Sequence, residues 1–220
     1  MIKTGLFSFL FMWSVCCSAQ KPLMGVFVGP QLTTAKFTNT GYKQDTKSKV
    51  GFQAGFGLKV PFENKLFFSP AAIYSLKGYK VTLNRPTFPP DPLATDNNTT
   101  IHTFELAALF QYDFSTQPSH MFVKFGPSLD FQIAGKEKFN RSTGGPVDRS
   151  MSFGFGDYGR YSGNFLFQLG YEMDNGLIVF GQYSYGLANL NNADGGPKVY
   201  HRVFGVSVGK YFNQKSVAVK

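Results

Sequence analysis

The stretch from Met121 to Ile133 reads MFVKFGPSLDFQI, and its reading decides the architecture. Met121, Val123, Phe125, Pro127, Leu129, Phe131 and Ile133 fall on every second place, against Phe122, Lys124, Gly126, Ser128, Asp130 and Gln132. A period of two is a strand with two unlike faces. The same alternation runs through Phe52, Ala54, Phe56, Leu58 and Val60, through Phe104, Leu106, Ala108, Phe110 and Tyr112, and through Phe165, Phe167, Leu169 and Tyr171. Eight such segments lie near 24–34, 50–62, 66–78, 103–114, 120–134, 161–173, 177–188 and 199–212.

The two faces differ in an unusual sense. In a soluble sandwich the apolar face turns inward and the other carries many charges to water. Here the polar face is mostly Gly, Ser and Gln with one or two charges per strand, which suits a cramped wet interior, and the apolar face is large and aromatic, which suits lipid. Connections alternate in length. Those at 62–65, 115–119 and 174–176 are tight, the last being Asp174-Asn175-Gly176, whose Asn-Gly is a hairpin signal. Those near 35–49, 79–102, 135–160 and 189–198 are long and polar. The pattern predicts an all-β fold, an eight-stranded antiparallel up-and-down transmembrane β-barrel with both termini on the periplasmic side.

Composition agrees. The 220 residues are 43% hydrophobic, 17% aromatic and 16% charged, with 24 Gly, 12 Pro and a formal net charge of +9. That excludes disorder, collagen and coiled coil, and a chain of this size forms one all-β domain. Lys3, the apolar run Leu6–Val15 and Cys17-Ser18-Ala19 have the three parts of a secretory signal peptide, so residues 1–19 are expected to leave and residues 20–220 to form the barrel. Both cysteines, 16 and 17, and Trp13 leave with that segment, so the exported protein has neither thiol nor disulfide. After Gln20 no apolar run is long enough for a spanning helix.

The order and spacing of four short motifs resemble the PorT-like outer-membrane β-barrel family common in Bacteroidetes. They are Gly25-Val26-Phe27-Val28-Gly29, Gly51-Phe52-Gln53-Ala54-Gly55, Pro70-Ala71-Ala72-Ile73-Tyr74-Ser75-Leu76-Lys77-Gly78, and Gly181-Gln182-Tyr183-Ser184-Tyr185-Gly186-Leu187. The family's acidic residue after the third-strand proline and its proline in the fourth strand fall at Ala71 and Ala107 here. The resemblance implies an outer-membrane address and, through members linked to protein secretion, a secretion or envelope complex as partner.

The bore of an eight-stranded barrel is just wide enough for side chains to fill it. The alternation points Gln53, Lys59, Lys77, Glu105, Gln111, Asp113, Lys124, Asp130, Gln168, Glu172, Gln182 and His201 inward. Buried charges must be paired, so these are expected to form a structural plug. The basic residues Lys36, Lys43, Lys47, Lys49, Lys136, Lys138, Arg141 and Arg149 are expected in the outer loops, facing lipopolysaccharide. Outer-membrane lipid is the other expected partner; nucleic acid is not one, because the basic residues are split among loops.

No cofactor, metal site or catalytic centre is expected. The three histidines, His102, His120 and His201, do not share one face and end, and Ser75, Ser184 and Ser207 do not converge with a histidine and an acid. Gly154-Phe-Gly156-Asp-Tyr-Gly159 lacks the strand–turn–helix context of a dinucleotide loop. The reading is therefore a non-enzymatic barrel with a structural or interaction role; a small-ligand receptor barrel and an outer-membrane lipid-modifying enzyme are the alternatives. A lipocalin would turn the aromatic face inward and carry a Gly-X-Trp near its start, which is absent. Tyr211-Phe212 close the last segment as a terminal aromatic signal or part of an interfacial girdle.

Overall fold

The computed structural model describes residues 22–212; the signal-peptide segment and the cysteines at 16 and 17 lie outside the described residues. The strands are β1 (Leu23–Asn39), β2 (Tyr42–Lys43), β3 (Asp45–Lys47), β4 (Lys49–Glu63), β5 (Leu66–Thr82), β6 (Asp96–Asp113), β7 (His120–Phe139), β8 (Val147–Ser150), β9 (Tyr161–Glu172), β10 (Leu177–Gly186) and β11 (Lys198–Phe212). Eight long strands pair antiparallel in the order β11-β10-β9-β7-β6-β5-β4-β1, and β1 pairs with β11 from Met24 opposite Phe212 to Thr38 opposite Lys198. The wall is closed. Closure leaves no unpaired edge, which is the condition for strands to cross lipid.

Orientation follows the alternation. Phe104, Leu106, Phe110, Tyr112 and Phe114 all face outward and are exposed. Ten residues at about 3.4 Å each span about 34 Å along the strand, which becomes roughly 25 Å at a tilt near 40°, the height of an outer-membrane apolar band. Monomers in water do not expose such a belt. At the periplasmic end the chain turns tightly; Gly176 with φ +83° and Asn64 with φ +47° supply the left-handed residues.

Four strands run past the predicted segments on the outer side: β1 continues to Asn39, β5 to Thr82, β7 to Phe139, and β6 begins at Asp96. Along one strand the faces exchange chemistry. In β5, Tyr74 and Leu76 face outward and Lys77 inward, whereas beyond Gly78 it is Lys80 and Thr82 that are exposed and Tyr79 and Val81 that are buried. Above the lipid the wall obeys the rule of a soluble protein. A bulge in β7 accommodates the change: Ala134 pairs with His102 and Gln132 with Thr103, leaving Ile133 as the extra residue. Below it even-numbered residues point inward; above it Gly135, Glu137 and Phe139 do.

One side of the wall is seamed by side chains. The β4–β5 register runs up to Gln53 opposite Ser75, and β3 resumes it with Lys47 opposite Lys80. In between, Thr33 Oγ1 of β1 donates to the Gly78 carbonyl at 2.6 Å, and Gln31 Nε2 donates to the Leu76 carbonyl at 3.1 Å and to Ser75 Oγ at 2.8 Å. Gly51 leaves the room for this crossing: a Cβ there would meet the Leu76 carbonyl oxygen. Thr33→Val keeps the shape and strands the buried carbonyl of Gly78, so it should cost about 1–3 kcal/mol, read as a lower urea midpoint for the loss of heat-modifiable electrophoretic mobility.

Candidate functional site

The bore is the first candidate. All twelve inward residues named from the sequence lie buried inside it. At the periplasmic end Lys59 Nζ sits 2.6 Å from Asp113 Oδ2 and 2.8 Å from Glu172 Oε2, with His120 Nε2 3.0 Å from the same Asp113 oxygen. Next, Gln111 Nε2 donates to Asp113 Oδ1 at 2.7 Å, and Lys124 Nζ donates to the Tyr211 hydroxyl at 2.9 Å. A relay of amides then crosses the bore: Gln168 donates to Gln182 at 2.7 Å, Gln182 to Gln53 at 3.1 Å, and Gln53 to Ser207 at 2.9 Å. Nearer the outside, Lys77 Nζ lies 3.0 Å from Glu105 Oε2 and 2.8 Å from Asp130 Oδ2, and Ser128 Oγ donates to Glu105 Oε1 at 2.5 Å. His201 stands edge-on to Tyr79 at 6.0 Å.

The interior is drier than a lining of Gly, Ser and Gln implies. Leu23, Phe122, Ile178, Phe180 and Tyr211 form one buried cluster, and Ile73, Ala107, Leu109 and Leu166 another. A cavity beside Lys124 and Tyr211 has a volume of only 20 Å³. Tyr211 is thus a lumen residue; strict alternation leaves only Phe212 on the lipid side.

The outer mouth is filled as well. Phe37, Tyr79, Val81, Ile101, Phe139 and Val199 from the strand extensions pack with Met151, Tyr158 and Leu190 from the outer connections. Within this plug Glu137 is 1% exposed; it accepts from the Tyr158 hydroxyl at 2.8 Å, from Arg149 Nε at 2.8 Å and from Asn97 Nδ2 at 3.2 Å. Burial, with Tyr79 and Glu137 close by, pushes the Tyr158 hydroxyl well above its usual range, so it stays a donor.

The basic residues expected in outer loops are mostly on strands. Lys36 is on β1, Lys49 on β4, and Lys136 and Lys138 on β7; Lys43, Lys47 and Arg149 lie on the short strands β2, β3 and β8, and only Arg141 is in a connection. The reason is the reversed alternation above the lipid, which continues each ladder. These residues also divide by task, since Arg149 is tied to Glu137 and Lys49 Nζ binds Asn98 Oδ1 at 2.7 Å, the Thr99 carbonyl at 2.6 Å and Thr100 Oγ1 at 2.7 Å.

Two histidine clusters have the residue types of a metal or hydrolytic centre, and each is already engaged with other partners. Ligand atoms of Asp113, His120 and Glu172 lie within 4.8 Å of one another, but the Lys59 ammonium already stands between the carboxylates. On the lipid face His102 Nδ1 bonds the Tyr74 hydroxyl at 2.6 Å, and the residues opposite His102 are Leu76 and Ala134, which offer neither a nucleophile nor an acid. Sequence reasoning missed His120, Gln31, Thr33, Glu137 and Tyr158. His120 has the parity of Lys124, and Gln31 and Thr33 are polar places on the inner face of the first strand, so these three carried a signal.

A family model described as the outer membrane protein beta-barrel domain matches residues 18–192. The chain belongs to this family. Its place is the outer membrane, and its fold is the closed eight-stranded barrel of that compartment. No curated protein matches it. Among solved structures, this outer membrane β-barrel is similar to Ail, the attachment invasion locus protein of Yersinia pestis, solved with the heparin analogue sucrose octasulfate, at 15% identity and TM-score 0.46 over 87% of this chain and 99% of that one. It is also similar to the outer membrane enzyme PagL (12% identity, TM-score 0.44, 86% and 99%) and to Neisserial surface protein A (15%, 0.40, 85% and 97%).

Proposed function

We propose that this barrel is a sealed, non-enzymatic membrane anchor whose outer extension performs its specific work by binding envelope components. One observation carries the reading: the bore is packed from the Asp113–Lys59–Glu172 cluster to the Tyr158 plug, with no cavity of ligand size beside Lys124. A through-pore needs space that these side chains take: the concavity of 600 Å³ at the periplasmic mouth ends on Lys59, Asp113 and Glu172. The finer placement among PorT-like barrels, and with it a secretion or envelope complex as partner, rests on the four motifs quoted above.

Two measurements test it. In planar bilayers the refolded protein should show no stable conductance of porin size; a persistent open channel would overturn the seal. Lipid A from cells with and without the protein should give the same mass profile; loss or transfer of an acyl chain would overturn the non-enzymatic reading.

A further inference from the structure

The outward face of the extension carries a groove that the bore does not explain. β3 and β8 flank β5, β6 and β7 there, and the concavity between them has a volume of 470 Å³. That is within the roughly 300–1,000 Å³ of small-molecule sites. One row of cross-strand partners crosses its floor: Lys47 opposite Lys80, Lys80 opposite Asn98, Asn98 opposite Lys138, and Lys138 opposite Asp148. The row below holds Thr100 opposite Lys136.

Within the row only Lys138 has a carboxylate partner, Asp148, and with Lys49 four ammoniums meet the three groove carboxylates Asp45, Asp96 and Asp148. Like charges directly opposite each other on antiparallel strands repel, and Lys47 and Lys80 are such a pair. Lys49 brings a third ammonium to the same spot by binding Asn98, and burial together with the charge of Lys80 lowers its pKa. Of the nearby carboxylates, Asp148 is held by Lys138 at 2.6 Å and Asp96 by the amide and side chain of Asn140. Asp45 also lines the groove, at its upper end opposite Thr82.

Height selects the anion. Lys80 lies four residues beyond Leu76, the last large apolar side chain of β5 to face outward. At about 3.3 Å per residue and a tilt near 40° that is about 10 Å above the apolar band. The outer leaflet of this membrane presents phosphate-bearing sugars at that level. The geometry points to a binding site for a phosphorylated sugar of lipopolysaccharide in this groove, held by Lys47, Lys80 and Lys138 with Asn98 between them. The inference rests on the outer extension being the acting part of the barrel.

The test uses the full chain refolded in zwitterionic detergent, titrated with deep-rough lipopolysaccharide and with the same material dephosphorylated by hydrofluoric acid. The phosphorylated form should bind at least tenfold tighter. Lys47→Gln with Lys80→Gln should weaken that binding about 25-fold, since each basic residue at an anionic surface contributes close to a factor of five; Lys198→Gln, on β11, which pairs with β1 and β10 and not with a groove strand, should change it less than twofold. Heat-modifiable migration reports folding of each variant, and Lys80→Gln alone, with an expected fivefold loss, serves if the double variant does not fold. Equal binding of the dephosphorylated form, an unchanged double variant, or an equal loss in Lys198→Gln would overturn the site. Conductance and lipid A assays are indifferent to these variants, so a sealed barrel with an inert groove and a conducting barrel with a phosphate-selective groove are separate results.

Discussion

Replacing Lys77 by Met should destabilise the barrel by about 3–5 kcal/mol, the largest single effect expected from the bore. The ammonium is 2% exposed and lies within 3.0 Å of both Glu105 and Asp130. Methionine fills nearly the same volume, so the loss is electrostatic. Glu105 keeps the hydroxyl of Ser128, and Asp130 has Ser162 Oγ at 3.4 Å, but neither retains a cation. Two carboxylates in a dry layer cannot both remain ionised without one. Adding Glu105→Gln and Asp130→Asn removes the uncompensated charges, so the triple variant should recover most of the loss. Urea titration followed by heat-modifiable migration reads both steps. A triple variant no more stable than Lys77→Met would show that the side-chain shapes, not the charges, hold this layer.

The same layer shows how much of the molecule was legible. Between Phe104 and Phe114, or Met121 and Phe131, lipid dictates one face and the bore the other, and a two-residue period records both. Parity alone therefore places Lys77, Glu105 and Asp130 on the inner side, although the sequence cannot say that one lysine meets both acids, because the three lie on different strands, 28 and 53 residues from Lys77. The outer extension was unreadable for a physical reason. Above the lipid, water replaces hydrocarbon, apolar residues such as Tyr79 and Phe139 turn inward, and Lys80 and Lys138 turn outward. A reading that equates apolar with outward sees polar loop there. The extra residue at Ile133 compounds this, since a single insertion shifts which parity faces the bore. Met151, Tyr158 and Leu190 belong to no period at all; they are apolar residues of irregular segments, and only the three-dimensional mouth gives them a partner.

That irregular plug is the subject of the second large effect. Tyr158→Ala removes an aromatic side chain that is 1% exposed, and core truncations of this kind cost about 3–5 kcal/mol. It also takes a donor from Glu137, which keeps Arg149 and Asn97. The cost should stay local, because the plug is a cluster separate from those in the lower bore and the membrane band does not depend on it. Single cysteines read this out in a chain whose own two lie at 16 and 17. In the native protein, impermeant maleimide on intact cells should label Lys138→Cys and leave Phe139→Cys untouched, the reverse of what unbroken alternation from Lys124 would give. With Tyr158→Ala added, Phe139→Cys should become reactive and the segment 140–160 should be cut by external protease, while heat-modifiable migration persists. A silent Phe139→Cys in that background would mean the plug holds without Tyr158; loss of heat-modifiable migration would mean that the outer and inner halves of the bore fold as one unit, and the division between a lipid-ruled barrel and a water-ruled cap would fail.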